Sequence, residues 1–324
     1  MFVLNSDIRI GEYALQGVHE VVIKRSVNEL ADTAVVKVPV SAMLHDAGKA
    51  ETRIEVARHI RMGDPVRIRL GYDLRMHEEF VGYVKTLNLK SPLEIVCEDA
   101  FYPIRSRKVS LSGTKTLQQI LEKCGLRIAA VETLTLRNFV AKDKSVAGIL
   151  AEIKTQYGLS VYFDTAARVY AVRPGRVGAQ GRPVEYGIGQ NVISTDDLRY
   201  QNAEDIHLSI RAVAFKKDGT RVEATKGIKG YPAQTLYFYN ITSLTELSTL
   251  ADIELRRLAF DGYRGTLTGF LEPYAAPGMA AAIYDEKYRS RGGRYFIESV
   301  ETTFGQQGAR RKVELGRKIE KEDE

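Results

Sequence analysis

Tryptophan is absent from this 324-residue chain, cysteine occurs twice, histidine five times and proline nine times. Each shortage removes a class of function. Two cysteines, Cys97 and Cys124, cannot build the disulfide framework of a small secreted domain or a thiolate metal site, so both are expected to be buried thiols. His19, His45, His59, His77 and His207 are scattered, with no HExxH or comparable spacing, and a zinc site would need ligands from remote strands. No stretch approaches the ~20 apolar residues of a membrane helix. The start, Met1-Phe2-Val3-Leu4-Asn5-Ser6-Asp7, has no basic n-region and only a short apolar run. It reads as no signal peptide, with synthesis in the cytoplasm and no membrane insertion.

Catalytic and phosphate-binding signatures are also missing. There is no GxSxG elbow and no Walker A sequence, and Gly187-Ile188-Gly189 lacks the third glycine and opens no helix. Glu98-Asp99 and Asp196-Asp197 are adjacent, and neighbours on a strand face opposite ways, so neither pair reads as a general acid/base couple. Strand-end solvation is the expectation for both. The net charge of +6 is spread along the chain instead of gathered on a stripe, which argues against specific nucleic-acid recognition. No catalytic, cofactor-binding or metal-binding residue is nominated, and no cofactor is expected.

What is present is a pattern that occurs twice, about 215 residues apart. The first copy runs Gly63-Asp64-Pro65-Val66-Arg67-Ile68-Arg69-Leu70-Gly71-Tyr72-Asp73, then Phe80-Val81-Gly82-Tyr83-Val84, then Leu93-Glu94-Ile95-Val96. The second runs Gly278-Met279-Ala280-Ala281-Ala282-Ile283-Tyr284-Asp285, then Tyr295-Phe296-Ile297-Glu298-Ser299-Val300, then Val313-Glu314-Leu315-Gly316. Each copy is a glycine-opened strand closing at Tyr-Asp, an aromatic-led strand, and a last strand with alternating apolar residues. Two similar β-units in one chain count as two around a ring, so a trimer of such chains can face a sixfold partner.

Alternation predicts strands through residues 1–100, which suggests a barrel or sandwich. Ala42–Met62 breaks the pattern and reads as a long, mobile or partly helical loop carrying His45, Lys49, Arg53, Arg58 and His59. From 101 to 189 helices and strands alternate. Thr116–Lys123 and Val146–Tyr157 are amphipathic helices stopped by Gly125 and Gly158. Lys123-Cys124-Gly125-Leu126-Arg127-Ile128 aligns with Gln156-Tyr157-Gly158-Leu159-Ser160-Val161, a second and smaller duplication. Pro174–Arg182 is rich in glycine and reads as a linker. Strands return over 190–319, interrupted by a helix that opens at the capping box Ser243-Leu244-Thr245-Glu246 and flanks or plugs the barrel. Residues 320–324 form a charged tail.

The GD-x-V-x-I-x-x-GY pattern at Gly63–Tyr72, the strands Phe80–Val84 and Leu93–Asp99, the helix–strand–strand segment Val146–Val172, and the closing Gly293–Val300 and Val313–Arg317 together resemble the late control gene D family. These are the baseplate hub proteins of contractile phage tails. The resemblance implies a mainly β fold with an α+β insertion: two tube-type antiparallel β-barrels related by duplication, plus a small α/β module. It implies a non-enzymatic homotrimer with pseudo-sixfold symmetry, meeting the tail tube protein, the central spike protein and other baseplate proteins. The location implied is the virion tail baseplate, assembled in the bacterial host cytoplasm. Arg67 and Arg69 share the polar face of one strand and are the interface or lumen candidates. Two alternatives stay open: a tail-tip cell-wall hydrolase, and a carbohydrate-binding tail protein using Tyr231, Tyr237, Phe238, Tyr239, Tyr263, Phe270 and Tyr274.

Overall fold

Period-two burial runs through the first hundred residues and wraps them into one curled sheet. The computed structural model describes residues 3–45, 51–176, 182–215, 221–231, 233–239, 241 and 243–319. Nine strands come first: β1 (Leu4–Ile10), β2 (Tyr13–Leu15), β3 (Glu20–Ser26), β4 (Thr33–Val38), β5 (Ser41–Leu44), β6 (Thr52–Glu55), β7 (Pro65–Tyr72), β8 (Arg75–Asn88) and β9 (Leu93–Asp99). Seven of them pair antiparallel in the order β3-β4-β9-β8-β7-β1-β2. Ile8 and Ile10 near one end of that row share a core with Val21 and Ile23 at the other, so the sheet closes around its own apolar face. β5 and β6 form a separate hairpin, with Ser41 opposite Glu55, where a loop was expected. Four-residue arms are too short to show a period, which is why alternation missed them. Lys49 lies outside the described residues.

The middle of the chain has its own core. β10 (Lys108–Thr116) pairs with β12 (Thr135–Ser145), and β11 (Arg127–Val131), β14 (Arg168–Val172) and β13 (Ser160–Phe163) lie side by side in that order. Helix α1 (Leu117–Lys123) starts in a capping box between Thr116 and Gln119, and α2 (Val146–Tyr157) is capped by the Ser145 hydroxyl. Gly125 and Gly158 follow the two helices with φ of 65° and 62°. Left-handed backbone there turns each helix into a strand, as the aligned helix–Gly–Leu–strand segments predict. Those strands, β11 and β13, flank β14 from its two sides, one parallel and one antiparallel.

The last part is built from β15 (Val184–Ile188), β16 (Val192–Ser194), β17 (Leu198–Gln201), β18 (Ser209–Phe215), β19 (Arg221–Gly227), β20 (Ala233–Tyr239), α3 (Leu244–Leu258), β21 (Gly262–Gly269), β22 (Ala280–Asp285), β23 (Gly293–Gly305) and β24 (Gly308–Lys318). The pairings β15-β22-β23-β24-β21-β16 return to β15, giving a closed six-stranded barrel. Its ring includes β15, which precedes residue 190. The barrel is not wholly antiparallel. β15 runs parallel to both β22 and β16, because it enters from the end opposite to that used by β1 beside β7. Helix α3 neither plugs nor flanks this barrel as expected. Leu247 and Ala251 pack on Ile210, Ala212 and Ala214 of the sheet β19-β18-β20, forming a side unit with a core of its own. Its apolar stripe is satisfied locally. The linker residues 177–181 and the tail 320–324 lie outside the described residues.

The duplication is visible bond by bond. Gly63 N donates to Val84 O and Val84 N to Asp64 O; Gly278 N donates to Ile297 O and Ile297 N to Met279 O. Gly63 and Gly278 have φ of 88° and 86°. Taking Gly63 with Gly278 and Val84 with Ile297 propagates through the registers. Cys97 then matches Leu315, Ala34 matches Gly265, and Ile23 matches Leu198. Even the bulges coincide, falling after Val84 in β8 and after Ile297 in β23. Five strands therefore correspond in order and direction: β3, β4, β7, β8 and β9 with β16–β17, β21, β22, β23 and β24. The aligned sequence motifs open correctly at the two glycines but slip by two residues on the later strands. The structure places Gly82, not Phe80, at the position of Tyr295.

Candidate assembly surface

Groups that could do acid, base or nucleophilic chemistry are already engaged. Glu98 and Asp99 are buried at 3% and 5% exposure, not solvated at a strand end as expected. Glu98 takes Arg105 Nη1 at 2.7 and 2.5 Å and Lys85 Nζ at 2.7 Å. Asp99 accepts the backbone N–H groups of Asp32 at 2.9 Å and Phe101 at 3.0 Å. Burial, helped by the nearby Asp32 carboxylate, raises its pKa to about 7. Asp196 and Asp197 bind Ser194, Thr266 and Lys312 at the surface. Cys97 and Cys124 are buried free thiols, and burial pushes Cys97 up to about 12, which suppresses the thiolate. Among the described residues no group of three or more His, Cys, Asp or Glu could hold a metal. No helix is long and apolar enough to cross a membrane.

The tyrosine-rich segment does not come together as one platform. Tyr263 is buried in the second barrel and hydrogen-bonds Asp285, Phe238 packs in the α3 unit, and Tyr231 stacks on His207 at 4.7 Å. Tyr274 stacks on His77 at 4.8 Å, and Phe270 lies under Arg310. The side chains of Tyr237 and Tyr239 lie outside the described residues.

Arg67 and Arg69 point outward from β7 and meet carboxylates on the neighbouring strands. Arg67 Nε donates to Glu78 at 2.7 Å, and Arg69 Nη1 lies 3.5 Å from Asp7. A patch of alternating charge results, with Arg9 beside Asp7 at 3.2 Å. Such exposed pairs contribute about 0–1 kcal/mol to stability, which leaves their charge available to a partner.

The two barrels meet at a seam that alternation alone does not announce. β23 pairs with β24 along one edge; its other edge takes β22 over Ala280–Ile283 and then β3 over Glu20–Ser26. One continuous sheet therefore crosses from the second barrel into the first. Beneath it, Arg311 of β24 and Glu79 of β8 form an ion pair with both side chains 1% exposed. Nη2 donates to Glu79 Oε1 at 2.7 Å and Leu271 O at 2.9 Å, and Nη1 to Glu79 Oε2 at 3.1 Å and Ala275 O at 3.0 Å. Close by, Arg25 donates to Asp32 at 3.0 Å and to the Tyr274 hydroxyl at 3.1 Å. A signal for these arginines exists in the sequence. Arg311 continues the inward row of Val313 and Leu315, and Arg25 that of Val21 and Ile23, so each is a charge on a core-facing position.

The surface also holds cavities. A groove of about 720 Å³ lies between β2 and the β5–β6 hairpin, lined by Tyr13, Val38, Met43, Ile54 and His59. A hollow of about 620 Å³ lies where the β7–β8 turn meets Asn191, Phe270 and Glu272. Neither converges polar groups on a reacting point.

No family model matches the chain, and no curated protein matches it. Solved structures do. The 43 kDa tail protein of prophage MuSo2 from Shewanella oneidensis superposes with a TM-score of 0.64 at 15% identity, over 96% of this chain and 97% of that one. The tail protein from Neisseria meningitidis MC58 gives 0.67 at 10% identity, over 97% and 96%. An Escherichia coli component of the type VI secretion system, described as structurally similar to the T4 bacteriophage tail proteins gp27 and gp5, gives 0.53 at 11% identity, over 97% and 77%. Nearly end to end, this chain has the fold of phage and prophage tail proteins.

Proposed function

We propose that the protein is the structural baseplate hub of a contractile phage tail or phage-like particle. It acts as a homotrimeric ring with pseudo-sixfold symmetry that joins the hexameric tail tube to the trimeric central spike, without enzymatic activity. The observation that carries this reading is the duplicated β-unit, with its register-for-register correspondence and the sheet that joins the two copies inside one chain. Two equivalent blocks per chain are what a threefold object needs to present six similar units. The tail-protein identity of the structures that share this fold supports the setting, and the late control gene D motifs support the hub role within it. The charged patch around Arg67 and Arg69 serves as a contact or lumen face. The assembled location is the tail baseplate, after synthesis in the bacterial host cytoplasm.

Light scattering coupled to gel filtration, with negative-stain images of the same peak, tests this. Three-chain rings with an open centre and a sixfold outline are expected. Rings of another chain number, or a monomer that is absent from tails when expressed with the other tail proteins, would overturn the reading.

A further inference from the structure

The correspondence between the barrels identifies two strand edges that lack the partner their counterparts have. Inside the chain, the β23 edge beyond Ile297 pairs antiparallel with β3: Ser299 opposite Ser26, Val300 opposite Arg25, and Glu301 opposite Lys24. The counterpart of that edge in the first barrel is the end of β8, from Lys85 to Asn88. It pairs with β9 on one side, and β7 leaves its other side at Tyr83. The counterpart of β3 is β17, which pairs only with β21. Among the described residues nothing pairs with the outer side of either edge. Both are short open ladders on one molecule, in the positions where the seam has a closed one.

We infer that β8 of one chain pairs antiparallel with β17 of a second copy, repeating between chains the seam that β23 and β3 make within one. The register follows from the equivalences: Thr86 lies opposite Gln201 of the second copy, Leu87 opposite its Tyr200, and Asn88 opposite its Arg199. A second copy is the occupant because the complementary edge sits on the same chain and the pairing geometry already exists at the seam. Side-chain character agrees. Lys24 and Glu301 form a 3.3 Å ion pair across the outer face of the seam, and Arg199 and Asn88 are the polar pair at the same place. Leu89, 78% exposed, comes opposite Leu198. Because the two edges differ, the contact is head-to-tail and propagates until a ring closes. Ring size alone rests on the hub reading.

The test is a disulfide scan on the full chain at high concentration under mild oxidation. In the double variant Asn88→Cys with Arg199→Cys, directly opposed positions bring the Cβ atoms to disulfide range. The control, Asn88→Cys with Gln201→Cys, is displaced by two residues. All three sites are at the surface, and circular dichroism melts verify that the variants fold. Buried Cys97 and Cys124 remain unchanged. The in-register pair should give a reducible ladder ending in a closed species, with about tenfold more product than the displaced pair. A ladder closing at three chains supports the pairing and the ring size. Closure at another number leaves the edge pairing standing and removes the trimeric hub. Trimers seen by light scattering without cross-linking, or equal cross-linking of the displaced pair, overturn the edge pairing and leave the hub reading intact. A chain that stays monomeric without a ladder overturns the pairing.

Discussion

Charged residues on core-facing positions set the chemistry of this protein at the residue scale. Arg311 and Glu79 tie the two barrels together with four hydrogen bonds below 3.2 Å, while Arg311 Nε is buried without a partner. Removing one charge leaves the other desolvated, so Glu79→Gln should lower unfolding free energy by about 3–5 kcal/mol in denaturant titrations. Glu79→Leu with Arg311→Met should recover most of that, since neither charge remains. A Glu79→Gln loss below about 1 kcal/mol would mean that water reaches the seam. Asp99 gives a pH prediction. Its carboxyl binds a proton more tightly when folded, at about 7 against about 3.9 unfolded, so protonation favours the fold. The stabilisation is full below the unfolded value and disappears as pH rises through 7. The melting temperature of the wild type should therefore gain on that of Asp99→Asn as pH falls from 8 to 5, by up to about 1.4 kcal/mol per pH unit. Parallel curves would remove Asp99 as the titrating group.

Glycine placement governs the elements. Gly63 and Gly278 open equivalent strands at nearly the same positive φ, so alanine at either costs about 1–2 kcal/mol of backbone strain. Their surroundings differ. A Cβ at Gly63 meets nothing within 4 Å, whereas at Gly278 it comes within 2.6 Å of the Tyr162 hydroxyl. Tyr162 is buried and stacked on Tyr170 at 4.8 Å, so it cannot swing aside freely. Thermal melts should show Gly278→Ala clearly less stable than Gly63→Ala; equal losses would mean that strain dominates and the module packs loosely there. Helices and strands with a clear period were legible in the sequence, including the Thr116 and Ser145 caps and the glycine stops at 125 and 158. The β5–β6 hairpin was not, because its arms are four residues each, and β15 was not, because a linker precedes it. α3 was placed correctly along the chain but assigned to the wrong neighbour, since an apolar stripe does not say which sheet covers it.

At the scale of the whole molecule, function follows from joining equivalent blocks. The Arg67 and Arg69 patch belongs to this level: both side chains are exposed and paired across strands, so the fold does not depend on them. Arg67→Ala with Arg69→Ala should leave the melting temperature nearly unchanged and reduce the yield of assembled particles. Full yield with an unchanged melt would remove the patch from assembly.

The sequence alone determined the β-rich character, the duplicated unit, the inserted helical module and the lack of a catalytic constellation. Those are local facts, written in residue type and period. Only the tertiary structure decided that the second barrel closes as a ring with two parallel contacts, that β23 hands its free edge to β3, and that Arg311 finds Glu79 across 232 residues. Alternation fixes which face of a strand is buried; it carries no information about which strand lies alongside. Partner choice is set by how both barrels pack at once, and that appears only when the chain is folded.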